Sequence, residues 1–491
     1  MRPEITEKCG VFGVFTPGFN SAYIVIEANE KQQHRGQDGT GTVSTNAGGK
    51  LVDRRGAGRV KQIFPEGFDL SLLPGEISLG HTRYGTSTVS QKLDAHVQPV
   101  IGSSRRVAFA HNGNLPDTRF LDREMEQRGI PDREYNDTEK MTAVVADLVD
   151  RGASLEEAIE KAAPLFTGAW SIVAMDSKMG KLVAARDSKG IRPLSIGRSG
   201  NGIAFASETV AFGNPLNIEY LRDVNPGEMV IYDGNTLESR QIMPGENRLE
   251  IFEPVYFAHP DSILNGQRVG GTRINFGREA ANEIPNMYDL RADIVVGVPN
   301  SGLLAAQGFA EQSGIELAAG LSKRKEYTGG RTFIQPSAED KIREVRKKLE
   351  ADPNVLRGKS IILVDDSLVR GNTLPPVIEM ARNEGGAREV HVVIASAPVE
   401  HPNHYGINTP TYEELAANRH STIESLAYEL KADSLHYLSV EGMIRATGNP
   451  GEMYSLADFT GKYPIPTGRE IRITPRINLH TAPRVFSTSQ S

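Results

Sequence analysis

The sequence predicts a multidomain protein that combines α/β and α+β architecture. Its 491 residues exceed what one hydrophobic core usually fills, so two or three domains are expected. A Pro-Gly-Glu-Asn stretch at 244–247 is suited to a linker, and the spacing of the apolar residues changes after it. In the second half, strand-like and helix-like segments alternate, which is typical of a parallel sheet covered on both faces.

Composition and charge exclude several classes of protein. The net charge is −7 and no basic stripe occurs, so neither nucleic acid nor a membrane surface is an expected partner. The first eight residues contain no apolar segment, and no run of about 18 apolar residues follows, so we expect neither a secretory signal nor a membrane span and take the cytoplasm as the location. The single cysteine, Cys9, excludes intrachain disulfides and any four-cysteine metal or iron-sulfur site within one chain.

The first predicted strand begins at Cys9 and runs to residue 15, with glycines where the backbone must approach a neighbour closely. An isolated cysteine is usually a small buried hydrophobe. The position of Cys9 suggests another role. If residues 1–8 are removed, its own α-amino group can act as the general base for its thiol.

Polar clusters lie at the ends of several predicted elements in the first half. Arg83 is suited to bind a carboxylate through two hydrogen bonds. Asn112 and the backbone N–H of Gly113 can stabilise an oxyanion, although an Asn-Gly pair is by itself more typical of a hairpin turn. Asp137 is predicted as the N-cap of an amphipathic helix, and a ligand-binding role stays open beside that one.

The second half contains a regular series of alternating elements. The apolar pattern predicts strands at 293–298, 316–321, 361–365 and 390–395, with helices at 303–312 and 375–383. Three polar loops follow these strands, at 298–302, 321–326 and 365–373. Because ligands of open α/β sheets bind at the carboxyl ends of the strands, the three loops indicate one crevice.

The loop at 365–373 is the strongest candidate binding site in this half. Asp365 and Asp366 follow a buried apolar strand and are placed to engage a metal-bound sugar or its hydroxyls. The polar run from Ser367 to Thr373 offers hydroxyls, a guanidinium and a glycine that can hold a phosphate. A solvated acidic turn is the alternative. The basic run around Lys325 and the segment 329–349 fit a phosphate contact and a mobile lid, or else an exposed charged loop.

Several motifs carry a resemblance to a known family. CGVFGVF, QHRGQDGTG, GHTRYGT, AHNGNL and NDTE resemble the glutaminase domain of N-terminal-nucleophile amidotransferases. ARDSKGIRPL, ASET and NPGEMV narrow the resemblance to the glutamine phosphoribosylpyrophosphate amidotransferases, whose type I phosphoribosyltransferase domain is similar to YFAHPDS, VPNSG, GRTFIQP, DDSLVRGNT, HYGINTPT and ADSLHYLS. The resemblance covers nearly the whole chain.

The resemblance implies a domain organisation and a reaction. It implies a propeptide at 1–8, a four-layer αββα glutaminase domain at 9–245, a phosphoribosyltransferase domain at 246–470 and a tail at 471–491. The implied reaction hydrolyses glutamine and transfers the ammonia to C1 of phosphoribosyl pyrophosphate, giving 5-phosphoribosylamine, glutamate and diphosphate. Purine nucleotides as feedback inhibitors and a homo-oligomer are implied as well.

The resemblance also implies roles for individual residues. In the glutaminase, Cys9 is the nucleophile and Asn112 with Gly113 forms the oxyanion hole. Glutamine is bound by Arg83, Asp137, His81 and Thr86. Phosphoribosyl pyrophosphate is bound by Asp365, Asp366, Ser367, Val369, Arg370, Gly371, Asn372, Thr373 and Lys325, and Mg²⁺ is held by Asp365, Asp366 and Ser301.

The sequence departs from the family pattern at two places. Many relatives carry an iron-sulfur cluster on four cysteines, whereas Glu250, Asn403 and Asp458 stand at matching positions here, so no cluster is expected. Commoner residues are also replaced in the binding loops of the second half. Asn300 lies in the diphosphate loop (298–302), Asn372 and Leu374 follow Arg370-Gly371, and Tyr327 lies in the closing loop (325–328). These changes motivate one alternative, a paralogue with a different or weakened sugar-phosphate acceptor. A non-catalytic sensor of purine nucleotides is a second.

Overall fold

The computed structural model describes residues 8–46, 48–84, 96–131, 133–284, 291–324, 347–407 and 411–468. Thr86, Lys325 and Tyr327 of the expected sites lie outside these ranges, as do residues 329–346 of the predicted lid and the tail at 471–491. The described chain folds into an N-terminal domain of two antiparallel sheets and a C-terminal domain built on a parallel sheet.

The N-terminal domain is formed by two large antiparallel sheets. The seven-stranded sheet contains β1 (Lys8–Phe15), β2 (Gly39–Thr45), β3 (Leu51–Ala57), β4 (Ile77–Tyr84), β9 (Ser195–Ser199), β10 (Gly202–Ala206) and β11 (Glu219–Asp223) in the order β11-β9-β10-β1-β4-β2-β3. The six-stranded sheet contains β5 (Val100–Ile101), β6 (Val107–Asp117), β7 (Thr167–Asp176), β8 (Lys181–Arg186), β12 (Glu228–Tyr232) and β13 (Leu237–Gln241) in the order β13-β12-β8-β7-β6-β5.

The two sheets pack face to face because alternate residues of their strands are apolar. Val11 and Leu79 from one sheet lie in a common buried cluster with Ala108 and Val173 from the other. The helix Ala22–Lys31 covers the outer face of the seven-stranded sheet. The helices Arg119–Arg128, Asp137–Asp150 and Leu155–Ala162 cover the outer face of the six-stranded sheet. The predicted αββα arrangement is confirmed.

The C-terminal domain contains the predicted parallel sheet. Its strands are β17 (Ile294–Gly297), β20 (Ser360–Asp365), β21 (Glu389–Ile394) and β22 (Ser434–Tyr437), hydrogen-bonded in that order and all parallel. One face is covered by the helices Val269–Asn282, Leu303–Ser313 and Val440–Thr447, and the other by Leu374–Asn383 and Ile423–Leu430. Ile362 and Val364 enter the first cluster, while Ile361 and Leu363 enter the second. Burial on both faces explains the unbroken apolar run of β20.

One predicted strand of this domain is largely absent. The segment 316–321 forms a single bridge, in which Leu317 pairs with Val295 of β17. Two backbone hydrogen bonds flank this bridge, and the chain then leaves the sheet. Leu321–Lys323 forms β18, which pairs instead with β19 (Leu349–Ala351) in a two-stranded antiparallel sheet. The segment predicted as a strand therefore contributes only one bridge to the main sheet, and the strand that follows it pairs elsewhere.

Short elements complete the described structure. The short strands are β14 (Leu249–Glu250) with β23 (Tyr454–Ser455), and β15 (Ile263–Leu264) with β16 (Gln267–Arg268). The short α-helices are Val60–Ile63, Pro353–Leu356, Ala416–Arg419 and Ala457–Thr460. The 3₁₀ helices are Leu70–Leu72, Ala163–Leu165, Thr209–Phe212 and Gly451–Met453, and Glu253–Phe257 forms a π-helix. Among the residues that the structure describes, no helix is both long and apolar enough to cross a membrane.

Candidate active site

Cys9 and Arg83 lie side by side on two neighbouring strands. β1 and β4 are antiparallel, and their register places Cys9 directly opposite Arg83. Residues paired in this way have Cβ atoms about 4.5–5.5 Å apart and share one face of the sheet. Val11 and Leu79 lie on the same face in the core between the sheets, so Cys9 and Arg83 are directed toward the six-stranded sheet. Cys9 is fully buried.

Asn112 approaches this pair from the opposite sheet. Ala108 and Ala110, which have the same parity along β6, belong to the core between the sheets, so Asn112 also faces inward. Its Nδ2 donates to Ser207 Oγ over 3.4 Å, and the same oxygen accepts the backbone N–H of Val11 over 3.0 Å. Ser207 therefore links the strand of Cys9 to Asn112. Sequence reasoning noted Ser207 only as part of the ASET motif and missed this contact.

Gly113 lies inside a strand, so the prediction of a hairpin turn at Asn112-Gly113 is wrong. Asn112 pairs with Ser171, and Gly113 pairs with Trp170 of β7. Gly113 has a φ of +150°, and a Cβ added there would lie 2.0 Å from the carbonyl oxygen of Ala169. The glycine is needed for this close approach of two backbones, which is a different reason from a turn.

Asp137 begins the predicted helix, but it is not the N-cap. The cap is Asn136, whose Oδ1 accepts the N–H of Glu139 over 2.9 Å while Glu139 Oε2 accepts the N–H of Asn136 over 2.8 Å. Because Asn136 takes the capping role, the Asp137 carboxylate turns elsewhere. Its Oδ2 accepts the backbone N–H of Leu115, over 3.1 Å, next to the Asn112-Gly113 segment.

His96 connects Arg83 with the start of the same helix. Arg83 Nη1 donates to the carbonyl oxygen of His96 over 2.6 Å. The ring Nδ1 of His96 lies 3.3 Å from Asn136 Nδ2. His96 thus links Arg83 to Asn136, the residue that immediately precedes Asp137.

His81 lies beneath the site as a buried link between the two sheets. Its Nε2 is 3.3 Å from the carbonyl oxygen of His111, and the His111 Nδ1 is 3.0 Å from Thr138 Oγ1. Burial lowers the pKa of His81 to about 3, with a further contribution from the nearby charge of Arg83. Both effects disfavour the charged ring, so His81 is neutral near pH 7.

The second candidate site lies where β20 ends in the C-terminal domain. Asp365 and Asp366 are buried there. Ser301 Oγ donates to Asp365 Oδ1 over 2.7 Å, and Ser367 Oγ donates to Asp366 Oδ1 over 2.7 Å. Three residues predicted as metal ligands, Asp365, Asp366 and Ser301, are therefore together. Gly302 permits this approach, because a Cβ there would lie 2.1 Å from the carbonyl oxygen of Val364.

The loop after Asp366 is anchored by a short helical segment beside it. The carbonyl oxygen of Val369 accepts the N–H of Ala416 over 2.8 Å, and that of Arg370 accepts from Arg419 Nη2 over 3.2 Å. Gly371 has a φ of +74°, which turns the chain toward the helix Leu374–Asn383. Ser367, Asn372 and Thr373 retain solvent exposure on this loop. The predicted binding loop is thus accessible and held at its backbone.

Comparison with known proteins matches both halves of the chain. Glutamine amidotransferase domains match residues 83–214, and phosphoribosyl transferase domains match residues 273–405. The amidophosphoribosyltransferase of Bacillus subtilis (strain 168) is 40% identical over 473 residues, which cover 94% of each chain. The chain belongs to the amidophosphoribosyltransferase family.

Other members of the amidophosphoribosyltransferase family agree in sequence and in structure. The Mycobacterium leprae (strain TN) enzyme is 38% identical over 486 residues, covering 96% of this chain and 85% of the relative. The structure of B. subtilis glutamine phosphoribosylpyrophosphate amidotransferase complexed with ADP and GMP has a TM-score of 0.83 and 38% identity, covering 94% of this chain and 99% of the other. A structure described as the allosteric regulatory enzyme of purine biosynthesis has a TM-score of 0.84 at 38% identity, covering 95% and 98%.

Family membership establishes the reaction. This chain is an enzyme that joins a glutamine amidotransferase domain to a phosphoribosyltransferase domain, and it performs the first step of purine synthesis. The likeness extends over nearly the full length of both chains, which supports this activity over the paralogue with another acceptor and over the non-catalytic sensor.

The carboxylates at the end of β20 fit a divalent cation, which phosphoribosyltransferase domains generally require. Burial raises the pKa of Asp366 to about 6, and burial followed by the charge of Asp366 raises that of Asp365. A cation would stabilise both ionised carboxylates. No group of three or more Asp, Glu, His or Cys suited to a metal occurs in the described part of the chain.

A third polar group lies at the three positions for which the sequence resemblance predicts no iron-sulfur cluster. Glu250, Asn403 and Asp458 are all buried, and Asn403 Nδ2 donates to Glu250 Oε2 and to both Asp458 carboxylate oxygens, each over 3.1 Å. Burial raises the pKa of Glu250 to about 7. Burial and the charge of Glu250 raise the pKa of Asp458 well above its ordinary value. The pair thus retains a proton near neutrality.

The Glu250–Asp458 pair predicts a dependence of stability on pH. These carboxyls bind protons more tightly in the folded chain than in the unfolded chain, so the free energy of unfolding falls as the pH rises from about 4.5 to about 7. Asp458→Asn keeps the shape and an acceptor for Asn403 but removes one titrating group. We expect this variant to raise the melting temperature at about pH 8 by about 3 °C or more, with little change at about pH 5.

Thermal unfolding of the wild type and of two variants checks this expectation. Asp261→Asn is the matched control because the Asp261 side chain is 61% exposed, so its slope of melting temperature against pH should equal that of the wild type. Equal slopes for wild type and Asp458→Asn would contradict the assignment of the shared proton to this pair.

Proposed function

We propose that Cys9 is the nucleophile of glutamine hydrolysis and that it acts as the N-terminal residue after removal of residues 1–8. The observation that carries the proposal is the register of β1 with β4, which sets Cys9 opposite Arg83 with Asn112 facing them from the other sheet. Arg83 would bind the α-carboxylate of glutamine and Asp137 its α-ammonium group. His81 and Thr86 belong to the same proposed pocket. His81 lies beneath it as a neutral side chain.

The proposed chemistry proceeds through a thioester. The α-amino group of Cys9 accepts the thiol proton, and Sγ attacks the carboxamide carbon of glutamine. Asn112 Nδ2 carries two N–H groups, of which one contacts Ser207 Oγ and the other is proposed to donate to the oxyanion together with the N–H of Gly113. The protonated α-amino group of Cys9 then returns this proton to the departing nitrogen, which leaves as ammonia. Water hydrolyses the thioester, releasing glutamate and the thiol.

The acceptor site is proposed at the end of β20. The loop from Ser367 to Thr373 would hold the 5-phosphate through hydroxyl and backbone N–H groups, while Asp365 and Asp366 would engage the ribose hydroxyls and the cation. Lys325 is proposed to contact the diphosphate. The ammonia attacks C1 of phosphoribosyl pyrophosphate, the C1–O bond to diphosphate breaks, and one proton is lost to give 5-phosphoribosylamine. Transfer through the protein interior keeps the ammonia unprotonated and nucleophilic.

Mg²⁺ is the cation that we propose for this site. Asp365, Asp366 and Ser301 would hold it, either directly or through water. When bound, the ion neutralises charge on the departing diphosphate. Two carboxylates with few other protein ligands suit Mg²⁺, which keeps several waters and binds phosphate oxygens.

Regulation, assembly and location are proposed from the relatives and the sequence. The B. subtilis structure was complexed with ADP and GMP, which supports purine nucleotides as feedback inhibitors of this chain. A homo-oligomer and a cytoplasmic location are proposed likewise. The domain limits at 8/9, 245/246 and 470/471 stay predictions.

A coupled assay of product release tests the proposed function. With glutamine, phosphoribosyl pyrophosphate and Mg²⁺ present, we expect glutamate and diphosphate to appear in an approximately equal ratio, because each ammonia is used by the second site. Ammonium chloride should replace glutamine and yield diphosphate without glutamate. Glutamate release without diphosphate would contradict the proposed acceptor.

A further inference from the structure

A short segment of the C-terminal domain is buried against the glutaminase domain. This bridging segment, Asn403 to Ile407, lies between β21 and the helix Ala416–Arg419 in the sequence. Tyr405 is fully buried in a small cluster with Ala169 and Ile191 of the glutaminase domain. Residues of two domains thus share one core at this point, which is adjacent to the strand pair β6–β7.

The bridging segment meets the backbone of Gly113 directly. Gly406 has a φ of +100°, and a Cβ added to it would lie 3.0 Å from both the carbonyl carbon and the carbonyl oxygen of Gly113. It would also lie 3.1 Å from Arg192 Nη2. No side chain larger than hydrogen fits without moving one of these groups, so the two backbones are in van der Waals contact.

A hydrogen bond holds the next residue of β6 to the same segment. Asn114 Nδ2 donates to the carbonyl oxygen of His404 over 2.8 Å. Asn114 follows Gly113, and it pairs with Ala169 in the register of β6 and β7. The proposed oxyanion donors Asn112 and Gly113 are therefore followed at once by a tether to the other domain.

Arg192 fixes the bridging segment from the glutaminase side. Its Nε donates to the carbonyl oxygen of Tyr405 over 3.0 Å, and its Nη1 donates to Glu253 Oε1 over 3.0 Å. Glu253 also forms an ion pair with Arg35, and all three side chains are buried. Arg35 Cδ lies 3.4 Å from where a Cβ of Gly10 would be, beside Cys9. A buried ion network thus runs from the segment to the strand of the nucleophile.

Asn403 sets the shape of the segment from within the C-terminal domain. Its Oδ1 accepts the N–H groups of Tyr405 over 2.8 Å and of Ile407 over 3.3 Å, while its Nδ2 donates to Glu250 and Asp458. One buried amide therefore determines where the carbonyl oxygens of 404 and 405 point. The contacts with Asn114 and Arg192 depend on those two carbonyls.

We propose that the bridging segment is a positioning element of the glutaminase site. By packing on the Gly113 carbonyl and tethering Asn114, it holds the peptide and side-chain donors of Asn112 and Gly113 in the orientation that the oxyanion requires. The rate of glutamine hydrolysis then depends on contact with the acceptor domain, whereas glutamine binding at Arg83 and Asp137 does not. This inference rests on the proposed oxyanion role of Asn112 and Gly113.

Gly406→Ala tests the inference by pushing the segment away from Gly113. Gly448→Ala is the matched control, since Gly448 has a φ of +67° and only Gln267 Nε2, at 3.8 Å, lies near its Cβ position. Asn114→Ala is a second variant that removes the tether without backbone strain. Its control is Asn275→Ala, which removes a similar bond from Asn275 Nδ2 to the carbonyl oxygen of Ala446.

Three measurements on the full chain separate positioning from loss of structure. For Gly406→Ala and Asn114→Ala, we expect kcat for glutamine hydrolysis to fall about tenfold or more, because small displacements of catalytic groups are costly. The KM for glutamine and the ammonia-dependent synthesis should stay within about twofold of the wild type, as should all activities of the two controls.

Two results would overturn the inference. An unchanged kcat in Gly406→Ala and Asn114→Ala would overturn the inference, and so would an equal loss of ammonia-dependent synthesis. Asn112→Ala distinguishes this failure from that of the proposed function. If Asn112→Ala lowers kcat by about 10²–10³-fold while the bridging variants resemble their controls, only the inference fails. If Asn112→Ala retains full kcat, the oxyanion assignment itself fails.

Discussion

Replacing Cys9 by alanine is expected to lower glutamine-dependent synthesis by at least about 10⁴-fold, because the thiol forms the covalent intermediate. Ammonia-dependent synthesis should persist in the same variant, since the acceptor site at Asp365 and Asp366 belongs to the other domain. Cys9 is fully buried, so removing Sγ leaves a small cavity and folding should be retained. Parallel assays with glutamine and with ammonium chloride measure both effects.

Processing of the N-terminus provides a further control on Cys9. If the removal of residues 1–8 requires the thiol of Cys9, the alanine variant will stay unprocessed. The wild type and the variant are therefore also compared in a chain that carries only an initiator methionine before residue 9. The intact mass of active wild type should begin at Cys9. Active protein that retained residues 1–8 would contradict the α-amine mechanism. Glutaminase activity in Cys9→Ala would contradict the assignment of Cys9 as the nucleophile.

Asp365→Asn and Asp366→Asn are expected to impair the acceptor site by at least about 100-fold in both glutamine-dependent and ammonia-dependent synthesis. Each change removes a carboxylate that would contact the cation or a ribose hydroxyl. Hydrolysis of glutamine in the absence of phosphoribosyl pyrophosphate should continue. Isothermal titration with phosphoribosyl pyrophosphate, with and without Mg²⁺, should show that the magnesium-dependent part of the affinity is lost.

The melting temperature distinguishes loss of substrate binding from unfolding in these two variants. Asp365 and Asp366 are buried beside each other, and their pKa values are raised, so neutralising one relieves repulsion and should not lower the melting temperature. Asp293→Asn is the matched control. Asp293 precedes β17 at the opposite end of the sheet and accepts the N–H of Ser360 over 2.8 Å, which asparagine can also do. Unaltered magnesium-dependent binding in both acceptor variants would refute the proposed roles.

The acceptor loop could be predicted from the sequence because its residues are close together in the chain. A strand buried on both faces, two carboxylates and a polar loop are consecutive in the sequence, and the position of ligands at strand ends is a rule of the fold. Ser301 could be added because it follows the neighbouring strand β17. Tyr327 and Lys325 lie outside the described residues.

The glutaminase site was accessible only in part. Cys9, Arg83, Asn112 and Asp137 could be named from their chemistry and their motifs, but Asn112-Gly113 was taken by itself as a turn and Asp137 as the N-cap. Both readings failed for one reason. Local patterns do not reveal that β7 pairs with β6 through Gly113, or that Asn136 satisfies the helix end first.

The sequence by itself determined the two-domain class, the parallel sheet, the chemistry of the candidate residues and the lack of cysteines for an iron-sulfur cluster, since these follow from periodicity and residue type. Only the tertiary structure decided which residues meet. It brought Ser207 between Cys9's strand and Asn112, buried Glu250 with Asp458, and set Gly406 against Gly113. These contacts join residues far apart in the chain, and they depend on strand register and domain packing, which no local pattern encodes.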